Sequence, residues 1–358
     1  MMLSRLQKLG QHTVPNLVLA QRVLDKMQAA AQTHLEDETG EAMVGLVVPG
    51  SYPNAIPTLY VLDTISPDET AIRQFHTFQQ GDDRQDELIW WLQENWQATR
   101  EKRFNLFNKN KWDVPLRYLG DWHKQPGYMI QPSGGDLMTA MDWIFDPENG
   151  MDFLLAPIVT LDHPSTIATS GVTTNFVMLP QGDGEMIRID FWYIDRKSQA
   201  FLPIAPTVYP NDQLPTLAPY PWHLIREERA EEEVRLLEED GLFHSITLWN
   251  ADNEPPVEIC FLTARMGASR MLILVTPYDY PEKPPSVRVT PFVQMGEDGD
   301  MQKVFESAWK QSEPVDMREY FANEWTAEKH LLDVIHAAEK KLGIYPVTKS
   351  GDVVEDVK

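Results

Sequence analysis

The residues whose types and spacing could do chemistry lie in the first half of the chain. His123 follows a segment that is predicted to be a strand, and Ser133 and Asp136 stand at the start of a predicted helix. Histidine and aspartate are both natural zinc ligands. Glu38, which precedes another apolar run, could hold an attacking water, and Ser133 could donate to a developing oxyanion. If the fold brings these four side chains together, they predict metal-assisted hydrolysis.

Three of these residues also have a purely structural interpretation. Ser133 and Asp136 match a helix-capping box with aspartate in the place of glutamate. Glu38 belongs to an acidic run, residues 36–38, and could be a solvated charge. The neighbouring Trp122 is more typical of a core residue than of a substrate platform. The residue types alone leave both interpretations open.

The elements that must position these side chains are strands and helices in irregular order. Apolar residues at helical spacing predict a first helix that contains Leu17, Val18, Val23, Leu24 and Met27. A second helix is predicted at 86–102, and strands are predicted at 43–48, 59–65, 116–122, 153–161, 176–179 and 186–194. Because strands and helices do not alternate regularly, the pattern indicates an α+β fold rather than a doubly wound sheet.

A proline-rich stretch separates the two halves of the chain. Residues 201–221 contain six prolines, which remove backbone donors and interrupt regular structure. We therefore predict a stiff linker at 201–221 between a domain at 1–200 and a smaller α+β domain at 222–343, followed by a polar tail at 344–358. In the second domain, helices are predicted at 222–240 and 327–342, and strands at 245–249, 257–264, 270–275 and 287–290.

Composition narrows the range of partners and compartments. The chain has 358 residues, a length for which two domains are expected. Its formal net charge is −23, and because phosphate binding needs a basic surface, nucleic acid is not an expected partner. No apolar run reaches membrane-spanning length, charged and polar residues interrupt the N-terminal segment, and a single cysteine, Cys260, offers no internal disulfide. These features predict a soluble cytoplasmic protein with no membrane partner.

The segment from His123 to Asp136 resembles the motif of JAMM/MPN metalloproteases, which reads His-x-His-Pro, then Ser-x-x-Asp, with a glutamate far upstream. His123, Pro126, Ser133 and Asp136 stand at the family spacing, and Glu38 begins a segment similar to the upstream one. The resemblance covers about the first 200 residues. It implies a layered sheet with helices, like that of cytidine deaminases. It also implies Zn²⁺ on His123 and Asp136, Glu38 as general base and Ser133 as oxyanion donor.

One position departs from the family pattern, because Gln125 stands where the second histidine is expected. The resemblance then implies a zinc site in which Gln125 or water helps His123 and Asp136. An amide oxygen is a weaker zinc ligand than imidazole, and catalytic zinc sites use three protein ligands. Two functions therefore stay open. The first is a zinc-dependent peptidase acting on ubiquitin-like conjugates or precursors, with activity weakened or lost. The second is an inactive scaffold or binding protein. His163 could replace the missing ligand, but a structural role suits it better.

The second domain resembles ubiquitin-conjugating (UBC-like) domains and the related RWD domains. The similarity is carried by the turn Tyr280-Pro281-Glu282-Lys283-Pro284-Pro285 and by Trp325 before the closing helix. A conjugating enzyme needs a thiol between that turn and that tryptophan. Met317 lies about where the nucleophile would fall, and Cys260 precedes the turn inside an apolar run. We therefore expect no conjugation, and either binding of a ubiquitin-like protein or its carrier, or a stabilising role.

Overall fold

The computed structural model of the chain describes residues 13–52, 55–75, 77–81, 83–103, 110–164, 174–182, 184–252, 254–294 and 300–344. The chain divides into two compact units, Met1–Leu217 and Ala218–Lys358. Each unit combines helices with a sheet. The predicted polar tail lies, apart from its first residue, outside the described residues. Among the described helices, none is both long and apolar enough to span a membrane.

The first unit is built from short and medium-length strands with helices between them. The helices are α1 (Gln21–Thr33), α2 (Arg84–Arg103) and α3 (Gly134–Phe145). The strands are β1 (Asn16–Ala20), β2 (Gly40–Val48), β3 (Thr58–Ile65), β4 (Ile72–Gln74), β5 (Thr77–Gln79), β6 (Leu116–Lys124), β7 (Phe153–Leu155), β8 (Ile158–His163), β9 (Phe176–Gly182), β10 (Glu185–Asp190), β11 (Trp192–Asp195), β12 (Leu202–Pro203) and β13 (Pro206–Tyr209).

Most of these strands form one mixed sheet in the order β12-β11-β7-β6-β2-β3-β1-β13. Strand β8 pairs with β6 and β10, and β10 also pairs with β9, while β4 and β5 form a separate hairpin. Strand β2 is buried along most of its length, as expected of a central strand with both neighbours paired. Strand β6, its antiparallel neighbour, therefore runs through the middle of the sheet and carries His123.

The N-terminal helix begins later than its apolar spacing predicts. Leu17 and Val18 lie in β1, which pairs in parallel with β3 and β13, and α1 begins only at Gln21. The contiguous apolar run before Gln21 suits a strand that is buried on both faces, whereas Val23, Leu24 and Met27 keep the helical spacing and are buried. For Leu17 and Val18, pairing of β1 with β3 and β13 therefore outweighs the local helical pattern.

The proline-rich stretch is not a free linker, which corrects the predicted boundary at residue 200. Strands β12 and β13 belong to the sheet of the first unit, and the division between the units falls after Leu217. Pro206 is tolerated in β13 because this strand lies at the end of the sheet order. A proline there need not donate a backbone hydrogen bond to a second neighbouring strand. The predicted linker therefore shrinks to its last few residues.

The second unit has one antiparallel sheet in the order β14-β15-β16-β17-β18. Its strands are β14 (Leu242–Trp249), β15 (Glu258–Arg265), β16 (Arg270–Thr276), β17 (Ser286–Pro291) and β18 (Glu313–Pro314). Its helices are α4 (Trp222–Ile225), α5 (Glu227–Glu239), α6 (Met301–Gln311), α7 (Arg318–Glu324) and α8 (Leu331–Leu342). Helices α6 and α7 were not predicted, and the helix predicted at 222–240 is interrupted at Arg226.

One face of this second sheet forms the core that contains the cysteine. Cys260 packs with alternate residues of β15 and β16 against Val304 and Phe305 of α6. Burial raises the pKa of the Cys260 thiol, so the reactive thiolate is disfavoured. Met317 is also buried.

Candidate functional site

Three polar side chains stand at alternate positions near the end of β6. Asp121, His123 and Gln125 are two residues apart, and all three line a cavity of about 930 Å³. Because side chains alternate across a strand, residues two apart share one face, and their positions along the strand are roughly 7 Å apart. The end of β6 therefore presents an acid, an imidazole and an amide in a row.

The start of α3 places Asp136 opposite this row. The capping box predicted from the sequence is present: Ser133 Oγ accepts from Asp136 N at 3.2 Å, and Asp136 Oδ2 accepts from Ser133 N at 2.6 Å. The second carboxylate oxygen, Oδ1, lies 3.8 Å from His123 Nε2. Asp136 thus serves both interpretations at once, because one oxygen caps the helix and the other faces His123.

Glu38 reaches the same cavity from the segment that leads into β2. Its backbone amide donates to Gln74 O at 2.9 Å. The preceding residues are held by Lys124, whose Nζ donates to the carbonyls of His34 and Leu35, the latter at 2.7 Å. Lys124 is almost fully buried, and this burial lowers its pKa. The four residues predicted to form a site therefore surround one cavity.

The most informative contact of the site joins His123 and Gln125. Gln125 Nε2 lies 3.2 Å from His123 Nε2. Burial lowers the pKa of His123, although Asp136 opposes the shift, so the neutral ring is favoured and its Nε2 can accept the amide proton. Gln125 is only 6% exposed, and its Oε1 has no hydrogen-bond partner among the described residues.

These residues do not fit a catalytic zinc ion. Such an ion takes three protein ligands and leaves one position open. Here His123 and Asp136 supply two, and the amide N–H of Gln125 faces the imidazole nitrogen to which the carboxylate also points. Within the part of the chain that the structure describes, no group of three or more His, Cys, Asp or Glu side chains could hold a metal ion.

His163 does not supply the missing ligand. It is buried and does not line the cavity; its Nδ1 lies 2.8 Å from Pro164 O, and its ring makes a T-shaped contact with that of Tyr128. The structural role expected for this histidine is therefore the one that its contacts support. Trp122 is likewise fully buried, as expected of a core residue.

Sequence reasoning missed a second polar group on the cavity wall. Tyr118 OH donates to Asp121 Oδ2 at 2.5 Å, and Tyr118 lies beside Trp143, with ring centroids 5.9 Å apart. Burial raises the pKa of Asp121 to about 6, and the hydrogen bond from Tyr118 opposes this shift. The signal was present in the sequence, since Asp121 precedes His123 by two residues in a predicted strand.

The electrostatic character of the cavity is acidic. Glu38, Asp121 and Asp136 contribute carboxyl groups, and the described residues that line the cavity include no lysine or arginine. Apolar and aromatic side chains form the remaining wall: Phe75, Phe78, Met129, Trp143, Leu154, Leu155 and Phe201. Such a mixture of apolar wall and a few polar groups is typical of a binding site.

Comparisons with known proteins place the chain in no family. No family model and no curated protein matches it. Among solved structures, a protein from Desulfitobacterium hafniense is 16% identical with a TM-score of 0.30, covering 54% of this chain and 93% of that one. A JAB1/MPN domain protein from Archaeoglobus fulgidus is 10% identical with a TM-score of 0.23, covering 54% of this chain and 98% of that one.

Proposed function

We propose that this chain is a non-catalytic binding protein whose first unit holds a segment of a polypeptide partner in the cavity beside β6. The observation that carries the proposal is the contact between Gln125 Nε2 and His123 Nε2 at 3.2 Å. An amide donor at that nitrogen satisfies the lone pair that a metal ion would need. His123 and Gln125 thus contact each other with no cation between them.

The shape and lining of the cavity support a peptide as the occupant. A volume of about 930 Å³ lies at the large end of the range for ligand pockets, and the lining combines aromatic walls with separated polar groups. The net charge of −23 and the three carboxyl groups of the cavity favour a basic partner. The resemblance noted in the sequence makes a ubiquitin-like protein or its conjugates the partner to test first.

A second candidate function is a weakened zinc peptidase on ubiquitin-like conjugates or precursors. It is favoured by one specific observation, namely that Glu38, His123, Ser133 and Asp136 line the same cavity. This candidate requires that Zn²⁺ bind to His123 and Asp136 despite Gln125. For the second unit, the buried Cys260 supports binding or stabilisation rather than thioester chemistry.

Elemental analysis of zinc per chain, in protein purified without chelator, separates the two functions. The non-catalytic proposal predicts substoichiometric zinc in the native chain, about one zinc in Gln125→His, and loss of that zinc when Asp136→Ala is added. The Gln125→Asn variant is the matched control, since it changes the same residue without supplying imidazole. About one zinc in the native chain, together with cleavage of a ubiquitin-like fusion that Glu38→Ala abolishes, would contradict the proposal.

A further inference from the structure

We infer that the cavity contains a subsite for an arginine side chain of the bound peptide, formed by Gln80, Tyr118, Asp121 and Trp143 and called here the Asp121 subsite. The inference rests on the binding role proposed above and adds the chemistry of the ligand.

A bulge in β6 brings Tyr118 and Asp121 together. Residues three apart on a regular strand point to opposite faces. In the pairing with β2, however, Met43 faces Gly120 and Val44 faces Tyr118, so that Leu119 is an extra residue on β6. Gly120 adopts a φ of 128° at this point. The shift places Tyr118 on the same face as Asp121, within hydrogen-bond reach.

Asp121 keeps one carboxylate oxygen for a ligand. Its Oδ2 accepts from Tyr118 OH, whereas its buried Oδ1 has no hydrogen-bond partner among the described residues. A buried acceptor without a donor is costly, and a charged donor satisfies it best. A guanidinium group carries several N–H donors and no acceptor, and therefore matches this oxygen.

A second unpaired acceptor lies on the same face of the strand. Gln125 is nine-tenths buried, lines the cavity, and leaves its Oε1 without a partner among the described residues. Asp121 and Gln125 are four residues apart, which corresponds to about 13 Å along a strand. An extended peptide of about four residues spans this distance, with a side chain at Asp121 and a backbone N–H near Gln125.

The aromatic wall favours arginine over other donors. The rings of Tyr118 and Trp143 lie 5.9 Å apart with an angle of 37° between their planes, and Trp143 is 41% exposed. A planar, weakly hydrated guanidinium stacks on aromatic faces and gains from cation–π attraction, which is strongest for tryptophan. No lysine or arginine among the described lining residues already occupies this position.

Calorimetric titration of the full-length chain with two matched peptides tests the inference. The probes are acetyl-Ala-Ala-Arg-Ala-Ala-amide and the same peptide with citrulline, which keeps the shape and removes the charge. We expect the arginine peptide to bind at least about tenfold more tightly than the citrulline peptide, since charge-assisted hydrogen bonds are about twice as strong as neutral ones. Equal affinities, or no saturable binding of either peptide at millimolar concentration, overturn the inference.

Matched variants locate the selectivity. Asp121→Asn should abolish the preference for arginine, and Trp143→Leu should reduce it severalfold. Asp142→Asn is the control, because Asp142 is an exposed carboxylate on α3 outside the cavity lining, and its loss changes the net charge equally. If Asp121→Asn and Asp142→Asn behave alike, the preference reflects overall charge and the subsite does not exist.

The two proposals can fail separately. Stoichiometric zinc with peptide cleavage contradicts the non-catalytic function but leaves the arginine preference at Asp121 intact. Conversely, a chain without zinc that shows no preference between the two peptides keeps the non-catalytic function and loses the Asp121 subsite.

Discussion

Gln125 Nε2 lies 3.2 Å from His123 Nε2, and Asp136 Oδ1 lies 3.8 Å from the same imidazole nitrogen. Two side chains therefore converge on one atom of His123, and one of them presents an amide group rather than a second imidazole. This arrangement favours a hydrogen-bonded pair of His123 and Gln125 over a metal centre. It also predicts how replacing Gln125 changes metal binding.

The first prediction concerns metal removal. In Gln125→His, zinc should stabilise the first unit, because an ion that binds only the folded state adds about 2.7 kcal/mol at a free concentration 100-fold above Kd. Differential scanning calorimetry should show a lower Tm after treatment with EDTA and recovery when zinc is restored. The native chain should show no such change. An equal response of both proteins to EDTA would mean that Gln125 does not prevent metal binding.

The second prediction concerns the bulge of β6. A Cβ added at Gly120 would lie 2.1 Å from Leu155 O, and the residue has a φ of 128°. Both the steric overlap and the backbone conformation penalise a side chain, so Gly120→Ala should destabilise the first unit by about 3 kcal/mol or more. Urea denaturation measures this loss.

Gly134→Ala is the control for the bulge variant. An added Cβ there meets nothing within 4 Å, at the first residue of α3. The substitution should be neutral or stabilise by up to about 1 kcal/mol, because it restricts the unfolded chain. Similar losses from both alanine variants would show that the close approach of Gly120 to Leu155 is unimportant.

The third prediction concerns the buried Lys124. Its Nζ donates to the carbonyls of His34 and Leu35, next to the segment that carries Glu38. Lys124→Met leaves these acceptors unpaired, which should cost about 1–3 kcal/mol. Hydrogen exchange should also become faster around residues 35–39. The exposed Lys197 provides the control, and Lys197→Met should change the free energy of unfolding by less than about 0.5 kcal/mol.

The fourth prediction concerns the pH dependence of the second unit. Burial raises the pKa of Glu258 from 4.5 to about 7, with a further contribution from Asp252. Because the folded pKa exceeds the unfolded one, stability is greatest when the carboxyl is protonated and falls as the pH rises from about 4.5 through about 7. Glu258→Gln should therefore stabilise the unit by about 1–3 kcal/mol at pH 8 and have little effect at pH 4.

Hydrogen exchange of the amides of β14 and β15 measures this effect in the intact chain. The exposed Glu328→Gln serves as the control and should leave the pH profile unchanged. If Glu258→Gln is equally stabilising at pH 4 and pH 8, the burial of the Glu258 charge is not the cause.

Local patterns predicted the parts of the site that depend on neighbouring residues. The capping box of Ser133 and Asp136 is confirmed because its hydrogen bonds span only three residues. The strand predicted at 116–122 is present as β6, which carries His123 one residue before its end, and the burial of Cys260 follows from its position in an apolar run. Predictions from local patterns were wrong where pairing between distant strands determines the structure. Leu17 lies in a strand and not in a helix, and the proline-rich stretch joins the sheet as β12 and β13.

The sequence by itself determined which side chains are available: the capping residues, the histidine, the carboxylates, and the amide that replaces an expected imidazole. Only the tertiary structure decided that Gln125 faces His123 Nε2 and that Tyr118 meets Asp121. The physical reason is that Gln125 is held by a backbone hydrogen bond from its N–H to Val159 O of β8, whereas the contact of Tyr118 with Asp121 depends on a bulge at Leu119 that is set by pairing between β6 and β2. That pairing joins residues about 80 positions apart, which a local sequence pattern does not encode.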